Sequence, residues 1–260
     1  MTIYHQYVTG LYQRFGYFAT WLPNAPISLG DVGTLEDKRF TFRTSLAQLG
    51  IAFGSRESGN PVDWSHSSTS GVLLKTTPTV ASNTIGADSV KGGAVIEFTS
   101  QGAFVFQAKR CLVKEISDRV TLEQDLVSAY QTGSWDDSFV VIDSVVHVGE
   151  MAAVISNSKN ARLELSAEGG IGTGAMPLAD AKAKFTILQQ MGEIAHFIGA
   201  EELTPLFGLS RLKRSWLDRL RDTSRLESVK RVSPDHSQDQ GNGKTDSIIE
   251  RVTMNLRETA

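Results

Sequence analysis

The stretch whose residue types most suggest chemistry is the glycine-rich run AEGGIGTGAMP at residues 167–177. Such runs bind phosphate when they join a strand to a helix in a parallel unit. A dinucleotide loop follows the pattern G-x-G-x-x-G, and a Walker loop has Lys and then Ser or Thr after its last glycine. Here Gly174 is followed by Ala-Met-Pro, so neither pattern is met. The run therefore predicts the end of a sheet and the start of the next helix, without a nucleotide site.

Residues that serve as nucleophiles or metal ligands in other proteins are scattered along this chain. No G-x-S-x-G motif occurs, and the single cysteine, Cys111, excludes an internal disulfide framework and a Cys-rich metal site. A Cys–His pair stays open as an alternative, but nothing near Cys111 in sequence supports one. We predict no catalytic residue, no cofactor and no metal, and hence a protein that is not an enzyme. The histidines, which lack metal-ligand spacing, are His5, His66, His147, His196 and His236.

A basic cluster lies in the last quarter of the sequence. Acidic residues interleave with it, which favours a solvated helix face with ion pairs between successive turns. The sharper interpretation is a patch that contacts anionic lipid head groups, with Arg211, Lys213 and Arg214 as the contacts. Nucleic acid is not expected as a partner, because few aromatic residues accompany the cluster and the net charge is −3. The cluster comprises Arg211, Lys213, Arg214, Arg219, Arg221, Arg225, Lys230 and Arg231.

Length and composition bound the class of protein. With 260 residues, of which 40% are hydrophobic, the chain suits one large domain or one domain with a small appendage. The N-terminus shows no secretory signal, and no apolar run of about 18 residues predicts a transmembrane helix. The default expectation is a soluble cytoplasmic protein, although insertion by β-strands, whose sequence signal is weaker, stays open.

Two regions alternate between apolar and polar residues, which is typical of strands with one apolar face. Residues 95–108 predict one strand with a bend near Gly102, and residues 138–167 predict a long hairpin with a tight turn at Gly149-Glu150. Strands of roughly 9–11 residues cross a bilayer when tilted. The alternation suits strands between lipid and a wet lumen, and it also suits an ordinary sheet with one face on a core. Pattern alone favours the ordinary sheet.

Apolar residues three and four positions apart predict helices over residues 3–16, 114–132, 178–199 and 209–227. Residues 54–70 are polar and rich in turn formers, and they predict a long exposed loop.

The C-terminal region contains a sharp change in composition. Residues 233–243, SPDHSQDQGNG, hold no apolar residue and predict an exposed linker between a body (1–232) and a terminal segment (244–260). The terminal segment predicts a short amphipathic helix that must dock to persist, with Ile248, Ile249, Val252 and Leu256 on one stripe. We hypothesise that it is an inhibitory latch, released by cleavage in the linker; the alternative is a frayed helix without a role. The linker positions proposed for cleavage are Ser233, Asp235, Asp239 and Gly243.

Three stretches give the chain a resemblance to a known family. They are GYFATWLP with TSLAQLGI near the start, TGSWDDSFVVIDSVVHVGEMAAVISNSKNARLELSA in the middle, and ELTPLFGLSRLKRSW near the end. In pattern and order, over most of residues 10–220, the sequence resembles the bacterial gasdermins, the small prokaryotic relatives of the pore-forming gasdermins. Bacterial members often carry a lipid-modified cysteine near the N-terminus, whereas this chain has only Cys111.

The resemblance implies a fold and a function. The fold would be α+β, a twisted antiparallel β-sheet surrounded by helices, with long amphipathic hairpins and a short C-terminal helix that holds it closed. A partner protease would remove the C-terminal segment of this cytoplasmic protein. The body would then insert its strands into the inner membrane, oligomerise and permeabilise the membrane, causing cell death as in antiphage defence.

The resemblance and the alternation together select residues for the membrane-inserting strands. The partners implied are the activating protease, membrane lipids and further copies of the chain. The rival hypotheses are a soluble β-rich binding module without membrane activity, and a hydrolase whose site the sequence does not reveal. The strand residues proposed to face lipid are Ile96, Phe98, Phe104, Phe106, Val140, Ile142, Val146, Ala153, Ile155, Leu163 and Leu165.

Overall fold

The computed structural model shows a protein built mostly of antiparallel strands, with two helices of 13 residues each. The structure describes residues 2–23, 25–68, 71–77, 91–168, 177–179, 185–219 and 247–254. The elements are α1 (Ile3–Phe15), β1 (Phe18–Ala19), β2 (Asp31–Glu36), β3 (Arg39–Ser45), β4 (Ser55–Ser67), β5 (Val72–Thr77), β6 (Lys91–Phe98), β7 (Phe104–Ile116), α2 (Arg119–Gln131), β8 (Phe139–Ser156), β9 (Ala161–Glu168), a 3₁₀ turn (Pro177–Ala179), β10 (Phe185–Met191), β11 (Ile194–Leu212), a helical stretch over 214–219, and β12 (Ile249–Arg251).

The strands form two sheets, which we call the main sheet and the small sheet. In the main sheet β8 and β11 pair along most of their length, and the order continues as β1-β11-β8-β2-β3. The free edge of β8 also pairs with β7, which in turn pairs with β4, and β12 pairs with β11. The small sheet has the order β10-β9-β6-β5. All of these pairs are antiparallel, which agrees with the α+β class.

Both faces of the main sheet are covered around the end of β8. Ala153 and Ile155 pack into a cluster with α1, whereas their neighbours Ala152 and Val154 pack with the small sheet. A third cluster joins α2 to the main sheet through residues such as Leu126 and Val141. A strand covered on both faces reads as a continuous apolar run, which explains the sequence MAAVI at residues 151–155.

The helix predicted over residues 3–16 is confirmed as α1, which Thr2 caps at the start and Gly16, with φ of 74°, ends. The helix predicted over 114–132 is confirmed only from Arg119 onward. Asp118 accepts hydrogen bonds from the backbone N–H groups of Val120 and Thr121 and so begins α2, and the preceding residues belong to β7.

The predicted hairpin over 138–167 is wrong in its pairing and in its turn. Strand β8 runs through Gly149 and Glu150 without a break, and the chain turns at 157–160 instead. The two arms lie in different sheets, because β8 pairs with β11, β7 and β2 whereas β9 pairs with β6 and β10. The apolar parity on the α1 side of β8 changes between Val148 and Met151, and the register between β8 and β11 shifts on both sides of this stretch, opposite residues 146–148 and opposite residues 151–153.

Four further predictions are corrected by long-range pairing. The strand predicted over 95–108 is two strands, β6 and β7, in different sheets. Residues 55–67 of the predicted loop form β4, which pairs with β7. Within the predicted helix over 178–199, residues 178–179 belong to the 3₁₀ turn and residues 185–199 lie mostly in β10 and the start of β11. Of the predicted helix over 209–227, residues 209–212 belong to β11, residues 214–219 are helical as predicted, and residues 220–227 lie outside the described ranges. In each case strand pairing overrides a local pattern.

The terminal segment is not the predicted helix where the structure describes it. Residues 249–251 form β12, which pairs with β11 in the register Ser210↔Arg251, Arg211↔Glu250 and Leu212↔Ile249. A helix of two turns is only marginally stable in water, whereas the backbone groups of the β11 edge offer hydrogen-bond partners to an added strand. The segment therefore forms a strand at residues 249–251 and not a helix.

Candidate functional site

The candidate site is the edge of β11 to which residues 247–254, here called the C-terminal segment, are bound. On this edge β1 pairs with Leu206 and Phe207, and β12 continues the pairing from Ser210 to Leu212. The backbone N–H of Lys213 donates to the carbonyl of Ile248 at 2.9 Å, and the N–H of Val252 donates to the carbonyl of Leu209 at 2.8 Å. The segment thus joins the sheet by β-strand addition, a mode in which the main chain supplies the affinity.

Polar side chains clamp the segment on both sides. The Arg211 guanidinium lies 2.8 Å from a carboxylate oxygen of Glu250, and both side chains are about one-third exposed, at 36% each. On α2, the Glu123 carboxylate accepts hydrogen bonds from the Ser247 hydroxyl at 2.8 Å and from the Ile248 N–H at 2.6 Å. Each clamp depends on one carboxylate, that of Glu250 or that of Glu123, so both are sensitive to charge and to screening.

Apolar contacts complete the docking. Val252 is 6% exposed and Met254 is 7% exposed, and both belong to the cluster beneath α1. Ile248 and Ile249 pack on the cluster beneath α2, together with Trp216 from the helical stretch that follows β11. A fully buried side chain of this kind contributes roughly 1.5–3 kcal/mol, so the half-buried pair contributes less than the buried one. Of the four proposed latch residues, Leu256 lies outside the described residues.

A buried carboxylate lies behind the same edge. Asp143 on β8 is 1% exposed, and its side chain accepts hydrogen bonds from Ser210 at 2.5 Å and Ser144 at 2.9 Å and forms an ion pair with Arg119. Ser210 is also the register partner of Arg251 in the C-terminal segment. The alternation pattern gives Asp143 no role beyond that of a polar strand residue, although a lone Asp within the apolar run VVIDSVV is a sequence signal for a buried, partnered carboxylate.

Arg251 extends the docking toward α1. Its guanidinium lies over the Tyr17 ring, 5.3 Å from the centroid, and its Nη2 donates to the carbonyl of Gly16 at 3.5 Å. The segment therefore contacts the ends of α1 and of β11 and the side of α2, which are three elements far apart in sequence.

All eleven residues proposed to face lipid are buried in this conformation. Four of them line the space between the two sheets: Ile96, Phe98, Leu163 and Leu165. The others pack on the α1 side: Phe104, Phe106, Val140, Ile142, Val146, Ala153 and Ile155.

The small sheet has one apolar and one charged face. Its inner face carries Ile96 and Leu163, which are direct register partners. Its outer face carries a chain of ion pairs, from Lys75 to Glu97 at 3.3 Å, from Glu97 to Arg162 at 2.8 Å, and from Arg162 to Glu164. This two-sided pattern is the alternation predicted for residues 95–98 and 161–166.

The other candidate residues are dispersed. Lys213 is half-buried and Arg214 is exposed, beside the ion-paired Arg211. His147 is exposed. Cys111 is 2% exposed, and burial raises the pKa of its thiol to about 12. Among the described residues, no three His, Cys, Asp or Glu side chains are placed to hold a metal. Residues 169–176 of the glycine run and all four proposed cleavage positions lie outside the described ranges.

No family model matches the chain, and no curated protein matches it significantly. None of the described helices combines the length and the apolar character needed to cross a membrane.

Proposed function

We propose that the chain is an autoinhibited pore-forming protein of the kind its resemblance to bacterial gasdermins implies. The observation that carries the proposal is the docking of the C-terminal segment as a three-residue added strand, with one ion pair, one carboxylate clamp and two buried anchors. Such a segment is held by contacts that are few enough to be lost once its covalent tether is cut, because tethering maintains its high local concentration.

The strands suit the second half of the proposal. Strands β7, β8 and β11 have 13, 18 and 19 residues, which exceeds the roughly 9–11 residues that cross a bilayer. Strands with one apolar face and one charged face, such as those of the small sheet, are suited to separate lipid from water. Cleavage in the linker by a partner protease would free β11, and further copies of the chain would assemble on the membrane.

One observation favours the alternative, a soluble β-rich binding module. The apolar faces that would contact lipid are already buried against each other and against α1, as in an ordinary two-sheet core. Membrane insertion therefore requires the space between the two sheets to open, whereas a binding module keeps it closed.

The experiment that separates the two is dye release from vesicles. A site for a specific protease is inserted within 233–243 of the full chain, and leakage is compared before and after cutting. The pore proposal expects leakage only after the cut. Cut, folded protein that binds or ignores vesicles without releasing dye would contradict it and favour the binding module.

A further inference from the structure

The start of α1 and the turn between β2 and β3 bring a hydroxyl, an imidazole and a carboxylate into one hydrogen-bonded chain. Oγ1 of Thr2 lies 2.5 Å from Nδ1 of His5, and Nε2 of the same ring lies 2.6 Å from Oδ1 of Asp37. This order of groups activates a hydroxyl nucleophile, and it is recognised by geometry rather than by sequence. We infer that the three residues form an acyl-transfer site, with Thr2 as the nucleophile and small carboxylic esters as the class of substrate. The inference concerns a second activity and does not rest on the proposed pore.

Local structure holds the three groups in place. Thr2 caps α1 and His5 lies three residues further on, in the first turn, so both side chains lie on one side of the helix start. Asp37 and Lys38 have positive φ angles of 48° and 65° and form the two-residue turn of the β2–β3 hairpin. The Lys38 ammonium donates to the Thr9 hydroxyl at 3.1 Å and so ties this turn to α1. Because 32 positions separate His5 from Asp37, no local sequence pattern reveals the arrangement.

All three residues line one open cavity of about 470 Å³. Tyr4 and Arg39 line the same cavity, and the guanidinium carbon of Arg39 lies 5.0 Å from the centroid of the Tyr4 ring. A cation here suits the negative charge that develops on a carbonyl oxygen under attack, and the start of a helix adds positive potential. The His5 side chain is 20% exposed and that of Asp37 is 75% exposed. Water therefore reaches the site, and we expect slow hydrolysis of small esters.

The reaction consumes one ester and one water molecule. With its proton on Nε2, the His5 ring donates to Asp37, and its Nδ1 accepts the Thr2 hydroxyl proton as Oγ1 bonds to the ester carbonyl carbon. The protonated ring gives that proton to the departing alcohol oxygen as the carbon–oxygen bond breaks. Water attacks the acyl-Thr2 ester in the same way, which releases the carboxylic acid and restores the hydroxyl. The Asp37 carboxylate orients the ring and stabilises its positive charge.

The test follows the hydrolysis of para-nitrophenyl acetate by the uncut full chain, without an added N-terminal tag and without vesicles. Thr2→Asn keeps a good helix cap but has no hydroxyl, so hydrolysis should fall to the level of the buffer, whereas Thr2→Ser should retain it. His5→Gln should slow hydrolysis about 100-fold, because the general base is lost. Mass spectrometry of the quenched chain should find an acetyl group on Thr2.

A further variant tests Asp37 as a positioning residue. Asn tolerates the positive φ of this position, so Asp37→Asn should keep the turn. We expect kcat to fall at least about tenfold while KM changes little, because the ring loses its orientation rather than the cavity its shape. The matched control is His147→Gln, because Nδ1 of His147 lies 3.2 Å from the Thr204 hydroxyl on another part of the molecule. This control should hydrolyse the ester at the wild-type rate.

Three results would overturn the inference and leave Thr2 as a helix cap alone. They are hydrolysis by the wild-type chain no faster than in buffer, hydrolysis by Thr2→Asn at the wild-type rate, and an acetyl group found only on other residues. Because neither cleavage of the chain nor a membrane enters the assay, its outcome is separate from the dye-release test of the pore.

Discussion

Cys111 shows how burial decides the reactivity of a single residue. Its thiol lies in the core beneath α1 and donates to the carbonyl of Ala108 at 3.5 Å, and burial raises its pKa to about 12. The thiolate is the reactive form, and its fraction at neutral pH is therefore minute. We expect iodoacetamide to modify the native chain far more slowly than the urea-unfolded chain, and the native rate to rise with pH. Mass spectrometry measures both rates, and equal rates at neutral pH would contradict this environment.

Asp143 is a buried carboxylate with three side-chain partners, Arg119, Ser144 and Ser210. Asp143→Asn keeps the size of the side chain but removes the charge that Arg119 and the Ser210 hydroxyl meet. Because hydrogen bonds to charged groups are worth about 1.5–3 kcal/mol, we expect the free energy of unfolding to fall by about that amount. Arg119 is half-exposed and regains water, which keeps the loss moderate. Urea denaturation measures the change, with Asp125→Asn on α2 as the control; an unchanged midpoint would show that the cluster is not stabilising.

At the scale of elements, neighbouring residues of the small sheet lie on opposite faces and differ in burial. Leu163 is fully buried between the two sheets, whereas Glu164 points to the other face and pairs with Arg162. We expect Leu163→Ala to cost about 2–5 kcal/mol of unfolding free energy, because it removes core contacts and leaves a cavity. Glu164→Gln should cost less than about 0.5 kcal/mol, because it alters a partly exposed ion pair. Chemical denaturation of both variants measures the contrast, and similar losses would refute the two-faced arrangement.

Because Leu163 is buried, loss of leakage in a Leu163→Asp variant does not by itself show that this side chain faces lipid. Leu163→Asp would remove leakage whether the side chain faces lipid in a pore or only the core of the resting protein. Circular dichroism of the variant must therefore show a folded chain before loss of leakage is taken as support for membrane insertion.

At the scale of the whole molecule, the position of the C-terminal segment should control activity. Leu212 and Ile249 are direct cross-strand partners, so cysteines at both positions lie within reach of a disulfide. In the chain with the inserted protease site, the oxidised Leu212→Cys/Ile249→Cys variant should release no dye after cutting. Reduction should restore release, because the cut segment is then free to leave. Cys111 is buried and does not compete for the new pair.

Two controls accompany this experiment. The reduced, uncut variant should be inactive, because the tether still holds the segment in place. Release of dye from the oxidised, cut variant before reduction would show that departure of the segment is not required.

The sequence by itself determined the features that depend on neighbouring residues. The apolar stripe of residues 3–16 predicted α1 correctly, and period-two alternation predicted strand structure around residues 95–98, 104–108, 140–148 and 161–165. The isoleucines and Val252 of the terminal segment were expected to dock, and they do pack on the body. Stripes and alternation are local, so a linear pattern records them.

Only the tertiary structure decided which strands pair, and with that the site. A change of parity near Gly149 looks the same in the sequence whether the chain turns there or the strand continues. The pairing of β8 with β7 and with β11 on both sides of Gly149 shows that the strand continues. Three residues such as 249–251 do not form a stable strand by themselves, and they form β12 because they pair with the edge of β11. The ion pair between Arg211 and Glu250 joins positions separated by 39 residues, and no local pattern encodes such a contact. Pairing energy is shared between distant segments, so it becomes defined only when the fold brings those segments together.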